Sequence, residues 1–322
     1  MKCAFKRWTP RAASRGAAAG LLAVAAGAAA GAAGVAATGT AAAATSICTA
    51  ASSSHAALAA RLSRDIVHAL AGRADTYSVT VADRRTGIVC RLDEGHRYDS
   101  ASVVKATILA ALLRWHQETG RRLTQNEVHL ATLMITQSDN NAASALWAEA
   151  GRARLQHLLN LARMTETQLG PGGYWGLTQI TARDELTLLR LLTKSNSVLN
   201  SASRSFELGL MARVVSWQRW GTPAGAPRAV TVHVKNGWLP RATRGWRIHS
   251  IGAFTGKGRD YMIAVLTDNN PSMAYGVTTI EDVAVVIHRD LNAGLPAAVG
   301  RTALTPAQQV PDERLPALPA IP

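Results

Sequence analysis

The stretch YSVTVADRRTGIVCRL, residues 77–92, decides the fold class of this chain. Polar and apolar residues alternate over 77–81 and again over 88–92, which is the period-two pattern of half-buried strands. The residues between them, 83–87, form a charged turn that ends in glycine, so the two strands are predicted to pair as a hairpin. The same pattern predicts three further strands, at 229–234, 246–254 and 261–267.

Helical periodicity accounts for most of the remaining sequence. Leu58, Leu62, Ile66 and Leu70 recur at helical spacing and predict a helix over 52–71. Because strands and helices are segregated along the chain, we expect an α+β fold, with a five-stranded antiparallel sheet flanked by terminal helices and a separate all-helical lobe. The other predicted helical segments are 102–192, with breaks at Gly120, Gly151 and 169–176, then 203–217 and 278–291.

Residues 1–44 have the composition of an export signal. Basic residues between Lys2 and Arg15 precede an apolar Ala/Gly/Leu run at 17–37, and small residues accumulate at 41–44. This order is typical of a secretory signal peptide, so we expect a secreted or extracytoplasmic protein. The alternative is that the apolar run is retained as a membrane anchor, for which it is long enough.

Two cysteines, Cys48 and Cys90, lie outside this signal. An even number of cysteines in an oxidising compartment indicates pairing, so we predict a Cys48–Cys90 disulfide that ties the mature N-terminus to the sheet. The alternatives are two free thiols or a lipidated Cys48. The lipidated form is disfavoured because Ile47, which is not a small residue, precedes this cysteine.

The formal net charge of +14 raises the question of an anionic partner. The arginines are scattered along the chain rather than clustered on one helix, which argues against nucleic-acid binding. A solvated basic surface with peripheral attraction to an anionic cell wall fits better, and we expect a monomer. Residues 295–322 are rich in proline and alanine without periodicity, and we predict a disordered tail there.

Three short motifs carry the candidate chemistry. In Ser102-Val103-Val104-Lys105 the serine precedes a predicted helix, where free N–H groups and the helix dipole stabilise negative charge. The lysine lies one turn further on the same face, and it can accept the serine proton if burial lowers its pKa. The second and third motifs are Ser138-Asp139-Asn140 and Lys235-Asn236-Gly237. Each motif alone occurs by chance in helix caps and turns, whereas the three together in this order are seldom accidental.

In this combination the chain resembles the class A β-lactamases and penicillin-binding D,D-peptidases, whose signature motifs are S-x-x-K, S-D-N and K-T-G. The resemblance implies one serine hydrolase domain at 45–294 and no cofactor or metal. It implies that Ser102 attacks the substrate carbonyl, that Lys105 is its base, and that Ser138 passes the proton to the leaving nitrogen. Asn140 would bind Lys105 and the substrate amide, and Lys235 would bind Ser138 and attract a substrate carboxylate. The resemblance also implies an oxyanion hole made of the backbone N–H groups of Ser102 and Trp238, and substrate binding by Asn236, Gly237 and Arg244.

Two departures from the superfamily pattern leave the reaction open. Asn236 stands where Thr or Ser is usual, which puts the substrate preference in question. The segment Glu166-Thr-Gln-Leu-Gly170 resembles the Glu-x-x-Leu-Asn segment whose glutamate activates the deacylating water, but glycine replaces the asparagine. The alternative is that Glu166 is a solvated loop residue.

The resemblance therefore implies three candidate functions. The first is hydrolysis of β-lactams through a Ser102 acyl-enzyme. The alternatives are a D-Ala-D-Ala peptidase that acts on peptidoglycan stem peptides and a catalytically impaired penicillin-binding sensor. In all three the partner is a small molecule or a peptide rather than a nucleic acid.

Overall fold

The computed structural model describes residues 46–256 and 258–304, so the predicted signal peptide at 1–44 lies outside the described residues. Within this part of the chain, no helix combines the length and apolarity needed to cross a membrane. The strands are β1 Cys48–Ala50, β2 Thr76–Asp83, β3 Ile88–Leu92, β4 Tyr98–Asp99, β5 Gln179–Ile180, β6 Thr231–Pro240, β7 Trp246–Gly256 and β8 Arg259–Asn270, and the helices are α1 Ala56–Ala69, α2 Val104–Thr119, α3 Gln125–Thr136, α4 Asn140–Ala162, α5 Ala182–Thr193, α6 Ser201–Ala212 and α7 Met273–Leu291.

The predicted α+β class is confirmed, but the main sheet has six strands rather than five. Its order is β1-β3-β2-β8-β7-β6, and every neighbouring pair is antiparallel. The additional edge strand, β1, has only three residues and therefore carries no readable alternation. Cys48 lies directly opposite Cys90 in the β1–β3 register, and the predicted disulfide between them is confirmed.

The third motif lies inside a strand and not at its end, which corrects the predicted strand boundary. Strand β6 continues through Lys235-Asn236-Gly237 to Pro240 and remains paired with β7 over its whole length. Because side chains alternate along a strand, Lys235 and Gly237 face one side of the sheet while Asn236 and Trp238 face the other.

Both faces of the sheet are covered, and each cover has its own core. On β8, Ile263 and Val265 pack against the layer formed by the terminal helices α1 and α7. Met262, Ala264 and Leu266 of the same strand pack against the helical lobe. Burial on both faces explains why this strand is apolar at successive positions instead of alternating.

Helix α2 is the centre of the helical lobe. It is buried on almost all sides from Val104 to Leu113, and α3, α4 and α6 contact it. The predicted breaks at Gly120 and Gly151 are confirmed, since both residues have positive φ. Helix α3 begins with a capping box in which the Thr124 and Glu127 side chains each accept a backbone N–H of the other residue.

Two predicted boundaries of C-terminal elements are wrong. Helix α6 ends at Ala212, and a separate 3₁₀ turn covers Ser216–Gln218 where the helix was expected to continue. Helix α7 begins at Met273 because the side chain of Ser272 accepts the Tyr275 N–H as an N-cap.

The tail does not become disordered at residue 295, where the prediction placed its start. Ala297 pairs with Pro227 in an isolated bridge, and the Gly225 N–H donates to the Val299 carbonyl at 2.8 Å. The Thr302 N–H donates to the Glu281 carboxylate at 3.1 Å. Residues 295–304 therefore belong to the folded unit, and the rest of the predicted tail lies outside the described residues.

The lobe buries carboxyl groups at a free-energy cost, and Glu185 is one of them. Glu185 of α5 is fully buried, and neither of its carboxyl oxygens has a hydrogen-bond partner among the described residues. Burial, with a smaller contribution from the Asp184 carboxylate, raises the pKa of Glu185 to about 8. The folded state therefore holds a proton that the unfolded chain releases above its ordinary pKa near 4.5, so stability falls as pH rises from 4.5 to 8.

We predict that Glu185→Gln raises the free energy of unfolding by on the order of 2 kcal/mol at pH 8 and by little at pH 5, because the amide carries no ionisable proton. Chemical denaturation at both pH values measures the difference. Glu118→Gln, on the exposed side of α2, serves as the matched control and should give no such gain. An unchanged pH dependence in the Glu185 variant would contradict this assignment.

Candidate active site

Ser102 lies in a 3₁₀ turn, Ala101–Val103, immediately before α2. The two-stranded ladder β4–β5 and the hydrogen bond from the Ser100 N–H to the Thr178 carbonyl, 2.8 Å, fix the approach to this turn. Ala101 adopts φ +47°, a left-handed conformation that a non-glycine residue rarely takes, and such backbone strain concentrates at functional sites. The serine is half-buried, and no hydrogen bond to its hydroxyl occurs within the described residues.

Strand β6 passes directly beside this turn because residue 237 is glycine. A Cβ at Gly237 would lie 2.9 Å from the Ser100 carbonyl oxygen and from the backbone nitrogens of Ser102 and Val103. Real Cβ atoms do not approach backbone that closely, so a side chain here would push the third motif away from the nucleophile. The contact places Trp238, the second predicted oxyanion donor, one residue further along the same strand.

Lys105 is fully buried in the first turn of α2, and its amine is held by the second motif. The Nζ donates to the Ser138 carbonyl at 2.5 Å, to the Asn140 Oδ1 at 2.7 Å and to the Ser138 Oγ at 3.2 Å. The predicted contact between Lys105 and Asn140 is therefore present.

The second buried lysine, Lys235, also forms a hydrogen bond with Ser138. The Lys235 Nζ donates to the Ser138 Oγ at 3.0 Å and to the Asn236 carbonyl at 2.8 Å. A hydroxyl oxygen accepts two hydrogen bonds and donates one, so the two lysines leave the Ser138 O–H as the donor to a third group. Ser138 itself has φ +58°, a second strained non-glycine residue in this site.

The environment of Lys235 favours its neutral form. Only 1 % of the residue is exposed, and this burial lowers the pKa of Lys235 to about 7. An amine with this pKa exchanges a proton near neutral pH, which an exposed lysine does not do. Lys235 can therefore exchange a proton with the Ser138 hydroxyl to which it donates.

Trp175 is a site residue that the sequence analysis missed. Its ring centroid lies 4.7 Å from the Lys105 Nζ, and its indole N–H donates to the Ser144 Oγ at 3.1 Å. The indole face is an electrostatic partner for an ammonium group. The only signal in the sequence was a buried-type aromatic residue in the glycine-rich segment 170–176.

Glu166 lies in the same loop, and its side chain is bound to residues at the start of α5. One of its carboxylate oxygens forms an ion pair with Arg183, and the other accepts the Thr181 hydroxyl at 3.0 Å. Its backbone carbonyl accepts from the Arg97 Nε at 3.2 Å. These contacts tie the loop to the start of α5 and engage both oxygens of the Glu166 carboxylate.

Asn236 does not face a substrate, which corrects the predicted role of its side chain. Its amide group is buried and donates to the Gln218 carbonyl at 2.7 Å and to the Trp220 carbonyl at 2.9 Å. Both N–H donors are used, so none is left for a substrate carboxylate. The amide instead binds the connection between α6 and β6 to the third motif. Gln218, in the same connection, donates a 2.8 Å hydrogen bond to the carbonyl of Gln137, the residue just before the second motif.

An aromatic cluster covers this junction. The Trp238 ring meets the rings of Trp217 and Trp220 edge to face, with centroids 6.4 Å and 6.1 Å apart. Arg244, the other predicted carboxylate ligand, lies in the β6–β7 turn, where it pairs with Asp268 at 3.0 Å. Its guanidinium is therefore held by the neighbouring strand β8 in this structure.

We predict that Asn236→Thr lowers the free energy of unfolding by about 1–2 kcal/mol, because the carbonyls of Gln218 and Trp220 would lose their buried donors. Urea denaturation followed by tryptophan fluorescence measures the loss and also reports on the neighbouring indoles. Asn141→Thr, on an exposed face of α4, is the matched control, with an expected change within about 0.5 kcal/mol. Equal losses in the two variants would show that the Asn236 contacts do not stabilise the fold.

Known proteins match both the sequence and the fold. A model of the Beta-lactamase enzyme family matches residues 127–291, which include the second and third motifs. LppW of Mycobacterium tuberculosis, named as a candidate lipoprotein, is 26% identical over 197 residues, which cover 59% of this chain and 62% of LppW. The chain thus spans less than two thirds of the length of this curated relative.

Solved structures share the fold over most of the described residues. A class A β-lactamase from Bacteroides cellulosilyticus superposes with a TM-score of 0.64 at 17% identity, covering 72% of this chain and 98% of that one. PBP-A superposes with a TM-score of 0.61 at 20% identity, covering 71% and 95%. The motif order, the lysine–serine geometry, the family match and this fold lead to one conclusion: the chain belongs to the Beta-lactamase enzyme family, within the superfamily of serine β-lactamases and D,D-peptidases.

Proposed function

We propose that this protein is an exported serine acyl-transfer enzyme of the penicillin-binding type, in which Ser102 forms a long-lived acyl-enzyme. The observation that carries the proposal is the convergence of Lys105 and Lys235 on the Ser138 hydroxyl beside the Ser102 turn. The ligands we propose are β-lactams and the D-Ala-D-Ala ends of peptidoglycan stem peptides, because both present an amide carbonyl near a carboxylate.

The proposed acylation uses only groups in this site. The Ser102 oxygen attacks the amide carbonyl carbon and its proton passes to the amine of Lys105, the residue proposed as its base. Backbone N–H groups of Ser102 and Trp238 are proposed to stabilise the oxyanion, a contribution that is usually several kcal/mol. When the C–N bond breaks, the Ser138 hydroxyl gives its proton to the leaving nitrogen and is reprotonated by a lysine. The product is an ester on Ser102.

Of the reactions that the sequence left open, the position of Glu166 favours slow release of the acyl group. Water attacks an ester rapidly in such a site only when a base activates it. Glu166, the residue expected to do so, is bound to Arg183 and Thr181. The side chain of the loop that contacts Lys105 is the indole of Trp175, which cannot accept a proton from water.

Export is the proposed location. The basic and apolar pattern of residues 1–44 supports it, as does the Cys48–Cys90 disulfide, since disulfides persist in oxidising compartments. The similarity to LppW, whose name describes a candidate lipoprotein, points the same way. We propose a monomer that is attracted peripherally to the cell wall, and the formal net charge of +14 is the basis for both points.

We predict that incubation with a fluorescent penicillin gives a covalent adduct of one penicillin per chain, and that Ser102→Ala gives none. The adduct of the wild-type chain should persist for at least an hour after removal of free penicillin, because no activated water reaches the ester. Intact mass followed over time measures both. Rapid loss of the adduct with accumulation of penicilloate would establish a β-lactamase instead, and absence of any adduct would leave a binding protein.

The role of Glu166 is tested in the same assay. Glu166→Gln should change the lifetime of the adduct by less than about twofold, because the carboxylate lies outside the site, whereas a deacylating base would give a loss of 10²-fold or more. Arg183→Gln removes the other half of the ion pair and is the matched control. A lifetime that lengthens only in the Glu166 variant would overturn the assignment.

We predict that the second-order rate constant of acylation by a carboxylate-bearing penicillin falls roughly fivefold between pH 6 and pH 8, which corresponds to ~1 kcal/mol of lost attraction. The reason is that Lys235, with a pKa of about 7, loses its proton over this range. Lys235→Arg stays charged and should show no such fall, although its rate at pH 6 is expected to be lower. Identical profiles for the two proteins would contradict the role of Lys235.

A further inference from the structure

We propose that His249 positions the Ser102 turn for acylation by holding the backbone carbonyl of Asp99, on the strand that leads into this turn. The role rests on the acylation proposed for Ser102, and the side chain lies outside the three motifs. His249 lies in β7, directly opposite Gly237, and is fully buried. Residues that pair in this way point to the same face of a sheet, so the approach to the nucleophile contacts β6 at Gly237 and β7 at His249.

The partners of the imidazole fix its protonation state. The Nε2 of His249 lies 2.9 Å from the Asp99 carbonyl oxygen, and the Nδ1 lies 3.1 Å from the backbone nitrogen of Thr267. A carbonyl only accepts and a backbone N–H only donates, so Nε2 carries the proton and Nδ1 is the acceptor. Burial lowers the pKa of His249 to about 4, which keeps the ring neutral at neutral pH. The ring is therefore a fixed donor to Asp99.

This hydrogen bond anchors the side of the turn that carries backbone strain. Ala101, between Asp99 and Ser102, adopts φ +47°, and such a conformation persists only when the surroundings hold the chain on both sides. After the nucleophile, Val103 is fully buried in the core of the helical lobe. Before it, His249 holds the Asp99 carbonyl. Without this donor we expect the turn to relax and to displace the Ser102 hydroxyl and its backbone N–H.

The carboxylate of Asp99 has partners of its own. One oxygen accepts the Gln179 Nε2 at 2.6 Å, and the other lies 3.3 Å from the Nε of Arg247 and 3.5 Å from the Nε of Arg241. A change of Asp99 would therefore disturb the loop and the β6–β7 connection at once. A change of His249 acts on the carbonyl and leaves these carboxylate contacts in place.

Two amide side chains separate the two hydrogen bonds of the ring. The amide nitrogen of glutamine reaches about as far from the backbone as Nε2, so His249→Gln keeps a donor for the Asp99 carbonyl and loses the acceptor for the Thr267 N–H. The amide oxygen of asparagine lies near the place of Nδ1, so His249→Asn keeps the acceptor and loses the donor. Each variant leaves one buried group without its partner, and both are expected to lose stability.

Hydrogen–deuterium exchange of residues 98–104 measures the order of the turn, and the rate of adduct formation with the fluorescent penicillin measures its consequence. We expect exchange in this segment to be about fivefold faster in His249→Asn than in the wild type, and acylation to be about tenfold slower. His249→Gln should stay within about threefold of the wild type in both measurements.

His288→Asn is the matched control for a loss of stability alone. His288 is equally buried, in α7, and it also binds a backbone carbonyl through Nε2, that of Thr222 at 2.8 Å. This variant should lose stability while exchange at 98–104 and acylation stay within about threefold of the wild type. A loss of acylation in His288→Asn as large as in His249→Asn would overturn the inference, since destabilisation alone would then be sufficient.

The two amide variants and the wild type give the other decisive outcomes. Equal effects of His249→Gln and His249→Asn on exchange and acylation would show a purely structural histidine and overturn the inference. In the wild type, a long-range ¹H–¹⁵N spectrum should show the proton of His249 on Nε2, and a proton on Nδ1 would overturn it without any variant. If the wild type formed no adduct, the acylation proposed for Ser102 would be wrong, and exchange at 98–104 would still decide whether His249 holds the turn.

Discussion

The site depends on one constraint: two buried amines share the hydroxyl of Ser138. Ammonium groups at such a distance repel each other, and the burial of Lys235 already favours its neutral form. Hydrogen bonds to neutral acceptors offset the free-energy cost of burying the two amines. The acceptors are the Ser138 and Asn236 carbonyls and the Asn140 amide oxygen. Lys235, with a pKa of about 7, can exchange a proton near neutral pH through the Ser138 hydroxyl, which the proposed acyl transfer requires.

The sheet and the helical lobe are what bring these groups together. Lys105 comes from the central helix α2, Ser138 from the turn before α4, and Lys235 from the edge strand β6. Close approach of β6 to the nucleophile turn requires a residue without a side chain at Gly237. The order of the motifs in the chain therefore matters less than the packing of one strand edge against one helix end.

The side-chain contacts of Asn236 and Trp175 could not be predicted from the three motifs. The amide of Asn236 binds the connection that carries the tryptophan cluster, and both of its N–H donors are used there. Trp175 lies over the Lys105 amine, while the loop glutamate pairs with Arg183. The lysine–serine contacts on which the proposed acylation depends are present in this arrangement.

Periodicity and composition were sufficient for the fold class, the hairpin at 77–92, the helix breaks at Gly120 and Gly151, and the Cys48–Cys90 pairing, because these depend on local pattern or on chemistry that any fold must satisfy. The three motifs and the family resemblance predicted a site of Ser102, Lys105, Ser138, Asn140 and Lys235, and the structure brings the last four into hydrogen-bond contact. Tertiary structure alone decided the short strand β1, the inward hydrogen bonds of Asn236, the outward ion pair of Glu166 and the place of Trp175. Each of these depends on which backbone carbonyl or charged group lies across a gap in space, and residues far apart in sequence carry no local signal of that distance.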